Sequence, residues 1–469
     1  MKYFLWIVFI VWMLVTWQIF FTDTGAQKPK VDIASGGNQK TEIVFWHAMG
    51  GPLGVCMDNL INEYNSQSPD YYVKAINMGG YDTLQKKLLA SLIANEAPDL
   101  AQNYETLTKK FIRHDKIVCL DDLLAQEPDK GKNIREDVLP VLIRNATFGG
   151  KLYSFPFNKS VQVLYYNKNM FKKVGLDPEK PPRTFEELRE YCQKIVDYYK
   201  NEGKGEPASD KIYGYGCARS NNWSFLNRIK ANKGFIVRRE NPDGTLSQDE
   251  KGILKCGFNQ PEAIEALSFL QNMLNDGLAK EGQGFEHQND FTAGYCGIIE
   301  SSVTSKIFMK ITDFELGMAP VPGSYNEDGS IYNSTILSGT NICIFKNGND
   351  KKIAGAWDFV KWFTNTENGV KWSIGTTYMP VRKSSIESDS MKAAIAKDPN
   401  LNAVYQSINN LTFEPRITAW FEIRDQIADY LERCTLEKKD PKIYCQEMEK
   451  DINAILKHVT DKDTNKELE

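Results

Sequence analysis

Short apolar, β-branched runs alternating with helix-spaced apolar stripes constrain this chain more than any other feature. Residues 42–47 (EIVFWH) suit a buried strand, after which Leu53, Cys56, Met57, Leu60, Ile61 and Tyr64 recur at helical spacing. Residues 72–76 read as a second strand. Tyr81, Leu84, Leu88, Leu89 and Ile93 then give a second amphipathic helix, ended by Pro98. The pattern returns with strands at 151–155, 161–166, 297–299 and 341–345. Between them come helices at 185–199, 260–276 and 353–363, the first opened by a capping box at Thr184 and Glu187. Asn241-Pro242-Asp243-Gly244 reads as a hairpin tip. From Ala419 the tail is helical, with Trp420, Ile423, Ile427, Tyr430 and Leu431 on one face. Such alternation builds βαβ units around a largely parallel sheet. A length of 469 residues is enough for two α/β lobes.

Residues 3–21 carry no charge, follow Lys2 and precede Asp23, which makes a run long enough to cross a bilayer. Whether it serves as an anchor or a cleaved signal, the charge bias sends the remaining chain outside. No Cys follows the run, which excludes a lipoprotein anchor. Residues 25–40 are small, polar and broken by Pro29, Gly36 and Gly37, as in a flexible tether. Nine cysteines are odd in number and scattered, so no disulfide framework is implied. Cys343 sits in a strand-like run as a core residue, and nearness alone singles out Cys434 and Cys445 as a pair.

Lys and Arg total 57 against 61 Asp and Glu, a net charge of -4. No basic surplus exists to displace counterions from a nucleic acid. Four histidines (His47, His114, His287 and His458) and the lack of a CxxC pair argue against a zinc site. The chain contains no GxxxxGK[ST], GxSxG or HExxH, and no GxGxxG after a strand. Glu186-Glu187 and Asp121-Asp122 have the character of solvated helix starts, and His47 that of a hydrogen-bonded core residue. Nothing here demands an enzyme, a metal or a cofactor. A binding module with its ligand beyond the carboxyl ends of the strands, between two lobes, is the leading expectation.

Specific motifs then narrow the class. Ile43-Val44-Phe45-Trp46-His47-Ala48-Met49-Gly50-Gly51, Pro156-Phe157-Asn158-Lys159-Ser160 and Leu164-Tyr165-Tyr166-Asn167-Lys168 resemble the solute-binding proteins of bacterial ABC importers. Gly175-Leu176-Asp177-Pro178 and Pro181-Pro182-Arg183-Thr184 fit the same family. The first two motifs favour its glycerol-phosphate branch. The resemblance implies a two-lobed periplasmic-binding-protein fold of type II, with two or three crossovers. Lobe one is expected at 41–155 and 303–348, and lobe two at 156–302 and 349–469. It also implies a permease with an ATPase as partners, and a place at the periplasmic or extracellular face of the cytoplasmic membrane.

The same resemblance places the ligand residues at Tyr81, Glu105, Ser160, Ser302 (with Ser301 as an alternate), Gly339, Tyr378 and Arg416. As a set they suit a phosphate monoester: Arg416 offers a planar fork, and Ser160, Tyr378 and the Gly339 amide offer donors. Ser302 precedes a helix start, and Glu105 suits glycerol hydroxyls. Tyr81 and Trp46 would shape the walls. Singly, each has an ordinary role: Tyr81 in a core stripe, Ser302 as an N-cap, Gly339 as relief of a clash and Arg416 as a salt-bridged arginine. Lys159 departs from the family's small hydroxyl residue; it either adds phosphate affinity or marks another anionic ligand. Phe185 replaces an expected Trp. The alternatives are a neutral sugar or oligosaccharide receptor, a secreted phosphodiesterase or glycosidase, and an anchored sensor.

Overall fold

Ten strands, fed by the apolar runs above, sort into two five-stranded sheets. The computed structural model describes residues 40–247 and 252–459. The expected anchor or signal (1–22) and the tether up to residue 39 lie outside the described residues, as do the last ten positions. Among the described residues no helix is long and apolar enough to cross a membrane.

In chain order the strands are β1 (Thr41–His47), β2 (Tyr71–Asn77), β3 (Leu100–Asn103), β4 (Phe155–Ser160) and β5 (Gln162–Asn167). They continue with β6 (Tyr213–Ala218), β7 (Ala279–Gly282), β8 (Cys296–Ser302), β9 (Leu316–Pro320) and β10 (Ser338–Ile344). The first sheet runs β2-β1-β3-β10-β4 and the second β7-β6-β8-β5-β9. Both follow one plan. Three parallel strands are followed by one antiparallel strand, β10 or β5, which pairs antiparallel with the last. The two antiparallel strands are exchanged in sequence: β5 follows β4 after Val161 alone, and β10 returns from the second sheet. Strands β4 and β5 are buried along their whole lengths, their polar residues Asn158, Lys159, Ser160, Gln162 and Asn167 included.

This exchange differs from the expected lobe boundaries. Leu316–Pro320, expected in lobe one, pairs with β5 in the second sheet. Helices Asp350–Phe363 and Thr366–Thr376, expected in lobe two, pack on β1 and on helix Gly51–Gln67 of the first. Helices Trp420–Glu437 and Pro441–Leu456 return to helices Asn222–Ala231 and Pro261–Asn275 beside the second sheet. The chain therefore passes between sheets three times.

Local signals act as read, with one change at a helix start. Thr184 accepts from Glu187 N at 3.2 Å, but Glu187 reaches back to Arg183 N at 2.7 Å instead of Thr184's own amide. Around Phe157 the first core stacks aromatics: Trp372 lies 5.5 Å away and itself stacks on Tyr378 at 5.8 Å. Each such buried ring contributes roughly 1.5–3 kcal/mol, so a rigid aromatic wall runs from the core to Tyr378. Trp46, expected on the cleft wall, packs instead against the cluster of Leu84, Leu88 and Leu107.

All nine cysteines are free thiols. Cys434 and Cys445, expected as a pair, serve as apolar filling in one core, where burial pushes both thiols up to about 12. Reductant is accordingly expected to leave the melting temperature within about 1 °C, because no cross-link constrains the unfolded chain. In thiol labelling the half-buried Cys56 should react first, and the other eight only on unfolding. A fall of several degrees with reductant would contradict this.

Candidate functional site

A cavity of about 1020 Å³ lies where chain leaves the carboxyl ends of β6 and β8. Leu53, Tyr81 and Tyr378 line it from the first sheet's side, and Gln162, Trp223, Glu300, Ser301 and Ser302 from the second's. It sits beyond strand ends, where loops and helix starts project polar groups without disturbing a ladder.

On the first side, Tyr81 opens helix Tyr81–Ala94 and Tyr378 follows the left-handed Thr377 that ends helix Thr366–Thr376. Their hydroxyls share a hydrogen bond of 3.1 Å. Asn158 of β4 fixes the pair by donating to Tyr81 Oη at 2.8 Å. Asn158 Oδ1 in turn accepts from Gln102 Nε2 at 3.2 Å and from the Thr340 hydroxyl. A hydroxyl has one proton. Either hydroxyl can donate in this bond; where Tyr81 accepts from Asn158 and donates to Tyr378, the Tyr378 proton is left for a ligand acceptor. Burial pushes both phenols above their ordinary values, so both remain protonated donors at neutral pH.

The second cluster joins the sheets. Ser160, the last residue of β4, shares a 2.8 Å hydrogen bond with Ser302, the last residue of β8. Ser302 also caps the short turn Val303–Ile307 by accepting from Thr304 N, so its ordinary capping role is real. Ser301 points elsewhere, to Gln288 at 3.0 Å and Ser305 at 2.8 Å. Both serines line the cavity.

The other three expected residues stand behind this surface. Gly339, paired with Lys159, has φ +88, and a Cβ there would overlap the Asn158 carbonyl oxygen. Its lack of a side chain lets β10 approach β4 and so positions Asn158. Glu105 starts helix Glu105–Arg113; its Oε1 accepts from Asn145 at 3.0 Å, while Oε2 is buried without a partner. Arg416 is 2% exposed and donates from Nη1 to the Arg144 carbonyl at 2.7 Å and the Thr147 carbonyl at 3.4 Å. Its guanidinium lies over the Phe413 ring at 5.0 Å. It thus holds the chain on either side of Asn145 and makes no hydrogen bond to Tyr81, Ser302 or Tyr378.

Several residues at or behind the cavity escaped the sequence reading. Asn158 and Gln162 flank the strand crossing and carry much of the polar network. Gln162 donates to Ser224 at 2.7 Å and accepts from Asn227 at 2.8 Å. Trp223, anchored by its indole N–H to the Ile336 carbonyl at 3.1 Å, and the exposed Phe285 both line the cavity. Glu300 is paired with Arg228 in the floor at 3.3 Å. A usable signal existed: Asn221-Asn222-Trp223 comes two residues after the end of β6 and opens a helix, where Asn221 caps Ser224 N. His287 also lines the cavity, held neutral by burial that pushes it down to about 4.

The family described as bacterial extracellular solute-binding protein matches residues 59–403. The sn-glycerol-3-phosphate-binding periplasmic protein UgpB of Salmonella typhimurium is 27% identical over 416 residues, covering 86% of this chain and 89% of its own length. The Escherichia coli K12 protein of the same name is 26% identical over the same shares. Among solved structures, UgpB from Mycobacterium tuberculosis in complex with glycerophosphocholine superposes with a TM-score of 0.74 at 23% identity. It covers 90% of this chain and 99% of its own. The cyclic alpha-maltosyl-1,6-maltose binding protein of Arthrobacter globiformis gives 0.71 at 23% identity, over 89% and 100%.

Proposed function

Because the chain belongs to the bacterial extracellular solute-binding proteins, we propose that it captures sn-glycerol-3-phosphate or a glycerophosphodiester between its lobes for an ABC importer. Members of this family are binding proteins, not enzymes, and work outside the cytoplasmic membrane with a permease. The observation that carries the ligand class is the set of hydroxyls of Tyr81, Tyr378 and Ser302 on the lining of one cavity, with Ser160 hydrogen-bonded to Ser302. A phosphate monoester, with about -1.5 to -2 charge, offers the matching acceptors. Lys310, also on the lining, adds a cation. The named relatives at 26–27% identity bind sn-glycerol-3-phosphate, which supports the same choice. At about 1020 Å³ the cavity lies at the upper end of small-molecule sites, typically about 300–1,000 Å³. That room favours a diester with a headgroup over the bare monoester.

Arg416 enters this proposal as the residue that holds the chain around Asn145, and Glu105, whose Oε2 lies buried behind the lining, as the acceptor that the resemblance assigns to glycerol hydroxyls. A neutral saccharide is the second reading, favoured by the ring faces of Trp223 and Phe285 on the same lining.

Calorimetric titration of the full chain is expected to give micromolar binding, about -8 kcal/mol, with sn-glycerol-3-phosphate or glycerophosphocholine, and none with maltose. Tyr378→Phe removes one donor and leaves the stacked ring, so affinity should fall about tenfold with little change in stability. Heat with maltose alone would transfer the protein to the saccharide reading.

A further inference from the structure

Strand β4 carries Asn158, which donates to Tyr81, and Ser160, which bonds Ser302, and between them a lysine. Lys159 is 0% exposed. Its Nζ donates to Asn145 Oδ1 at 2.8 Å, and Asn145 Nδ2 donates to Glu105 Oε1 at 3.0 Å. The Lys159 carbonyl accepts from Met379 N at 2.8 Å, next to Tyr378, and its backbone pairs with Gly339. Lys159 therefore touches, by side chain or backbone, the segments that bear Glu105, Gly339 and Tyr378.

A buried carboxylate is costly unless paired, and a buried ammonium equally so. Here each lies one asparagine from the other. The Glu105 carboxylate is the charge that bears on Lys159. The neighbouring Asn341, which donates to Asn145 Oδ1 at 3.3 Å, is neutral. Arg416 approaches the same helix end through the Arg144 and Thr147 carbonyls. An ionised carboxylate only accepts, and it accepts more strongly than a neutral acid. Glu105 Oε2 is buried and without a partner, so it has a place for one donor.

We propose that Lys159 is a positioning residue: through Asn145 its ammonium holds Glu105 Oε1 and so fixes Oε2 as an acceptor, so that the site selects ligands presenting a hydroxyl donor beside their anionic group. This rests on the assignment of Glu105 to the ligand made above. Burial pushes Lys159 down to about 8, with the Glu105 charge opposing the fall. The ammonium is thus complete well below that pH and lost as pH rises through it, and affinity should follow. The phosphate, whose second ionisation lies near 6, is already doubly charged there and contributes no such decline.

Affinity of the full chain for sn-glycerol-3-phosphate and glycerophosphocholine is measured from about pH 7 to about pH 9.5 for wild type and Lys159→Met. The wild type should weaken across this interval. Lys159→Met should bind about tenfold or more weakly at neutral pH and show no alkaline decline. A variant with wild-type affinity and the same pH profile would overturn the proposal. Because Lys159→Met removes a buried hydrogen-bonded charge and risks unfolding, a second measurement needs no variant at that position and no ligand. In lysine-labelled protein the Lys159 resonance should titrate near 8, and at lower pH in Glu105→Gln. An unchanged titration in Glu105→Gln would show no coupling and also overturn it. If wild type binds neither phosphate ligand, the ligand reading falls and takes the binding role with it, while the titration still decides the pairing.

Discussion

Replacing Arg228 by methionine is expected to lower the free energy of unfolding by about 3–5 kcal/mol, the largest single loss in the second lobe. Arg228 and Glu300 are almost fully buried and 3.3 Å apart, and Arg228 also donates to Tyr215 Oη at 2.7 Å. Its guanidinium lies between ring faces, with Phe269 at 5.3 Å and Tyr215 at 5.7 Å. Removing it leaves the Glu300 carboxylate in a dry floor with its counter-charge gone. Urea titration should show a lower midpoint at an unchanged m-value. The double variant Arg228→Met with Glu300→Leu should recover much of the loss, because no buried charge is then stranded. If the single variant costs under about 1 kcal/mol, the pair is not the desolvated unit described.

Gly339→Val should cost about 2–4 kcal/mol and weaken ligand binding as well. Two effects add at this position. A backbone at φ +88 is strained for any L side chain, and the new Cβ would meet the Asn158 carbonyl oxygen. Because Asn158 orients Tyr81, moving β10 away from β4 disturbs the Tyr81–Tyr378 pair. Thermal unfolding and titration of the same sample separate the effects. A variant that melts like wild type would mean that the two strands do not need this close approach.

The sequence was most legible where a single period dominates. The stripe from Leu53 to Tyr64 and the face from Trp420 to Leu431 became helices because those apolar residues repeat at the helical period and all face a core. Lobe membership was less legible. Nothing local in Leu316–Pro320 says that it must pair with Gln162–Asn167, far away in the chain, and not with its neighbours. The cysteine pair failed for a related reason: nearness in sequence says nothing about whether two sulfurs are bonded or merely packed.

At the candidate site, the resemblance named residues that converge as two hydroxyl pairs, Tyr81 with Tyr378 and Ser160 with Ser302. It could not show that Arg416 spends its fork on main-chain carbonyls, since an arginine reads the same in either role. Nor could it show Asn158 and Gln162 as organisers. Their amides lie within fully buried strands, where a polar residue reads as an interruption until its partners are known.

The central claim is that a phosphate-bearing polyol sits in the cavity shared by the two lobes. A crystal structure of the full chain grown with sn-glycerol-3-phosphate or glycerophosphocholine tests it most directly. The account predicts ligand density between Tyr81 and Tyr378 on one side and Ser302 and Trp223 on the other, with a glycerol hydroxyl directed to Glu105. Density only in the separate cavity of about 960 Å³ beside Tyr166 and Pro182, or none at all at saturating ligand, would contradict it.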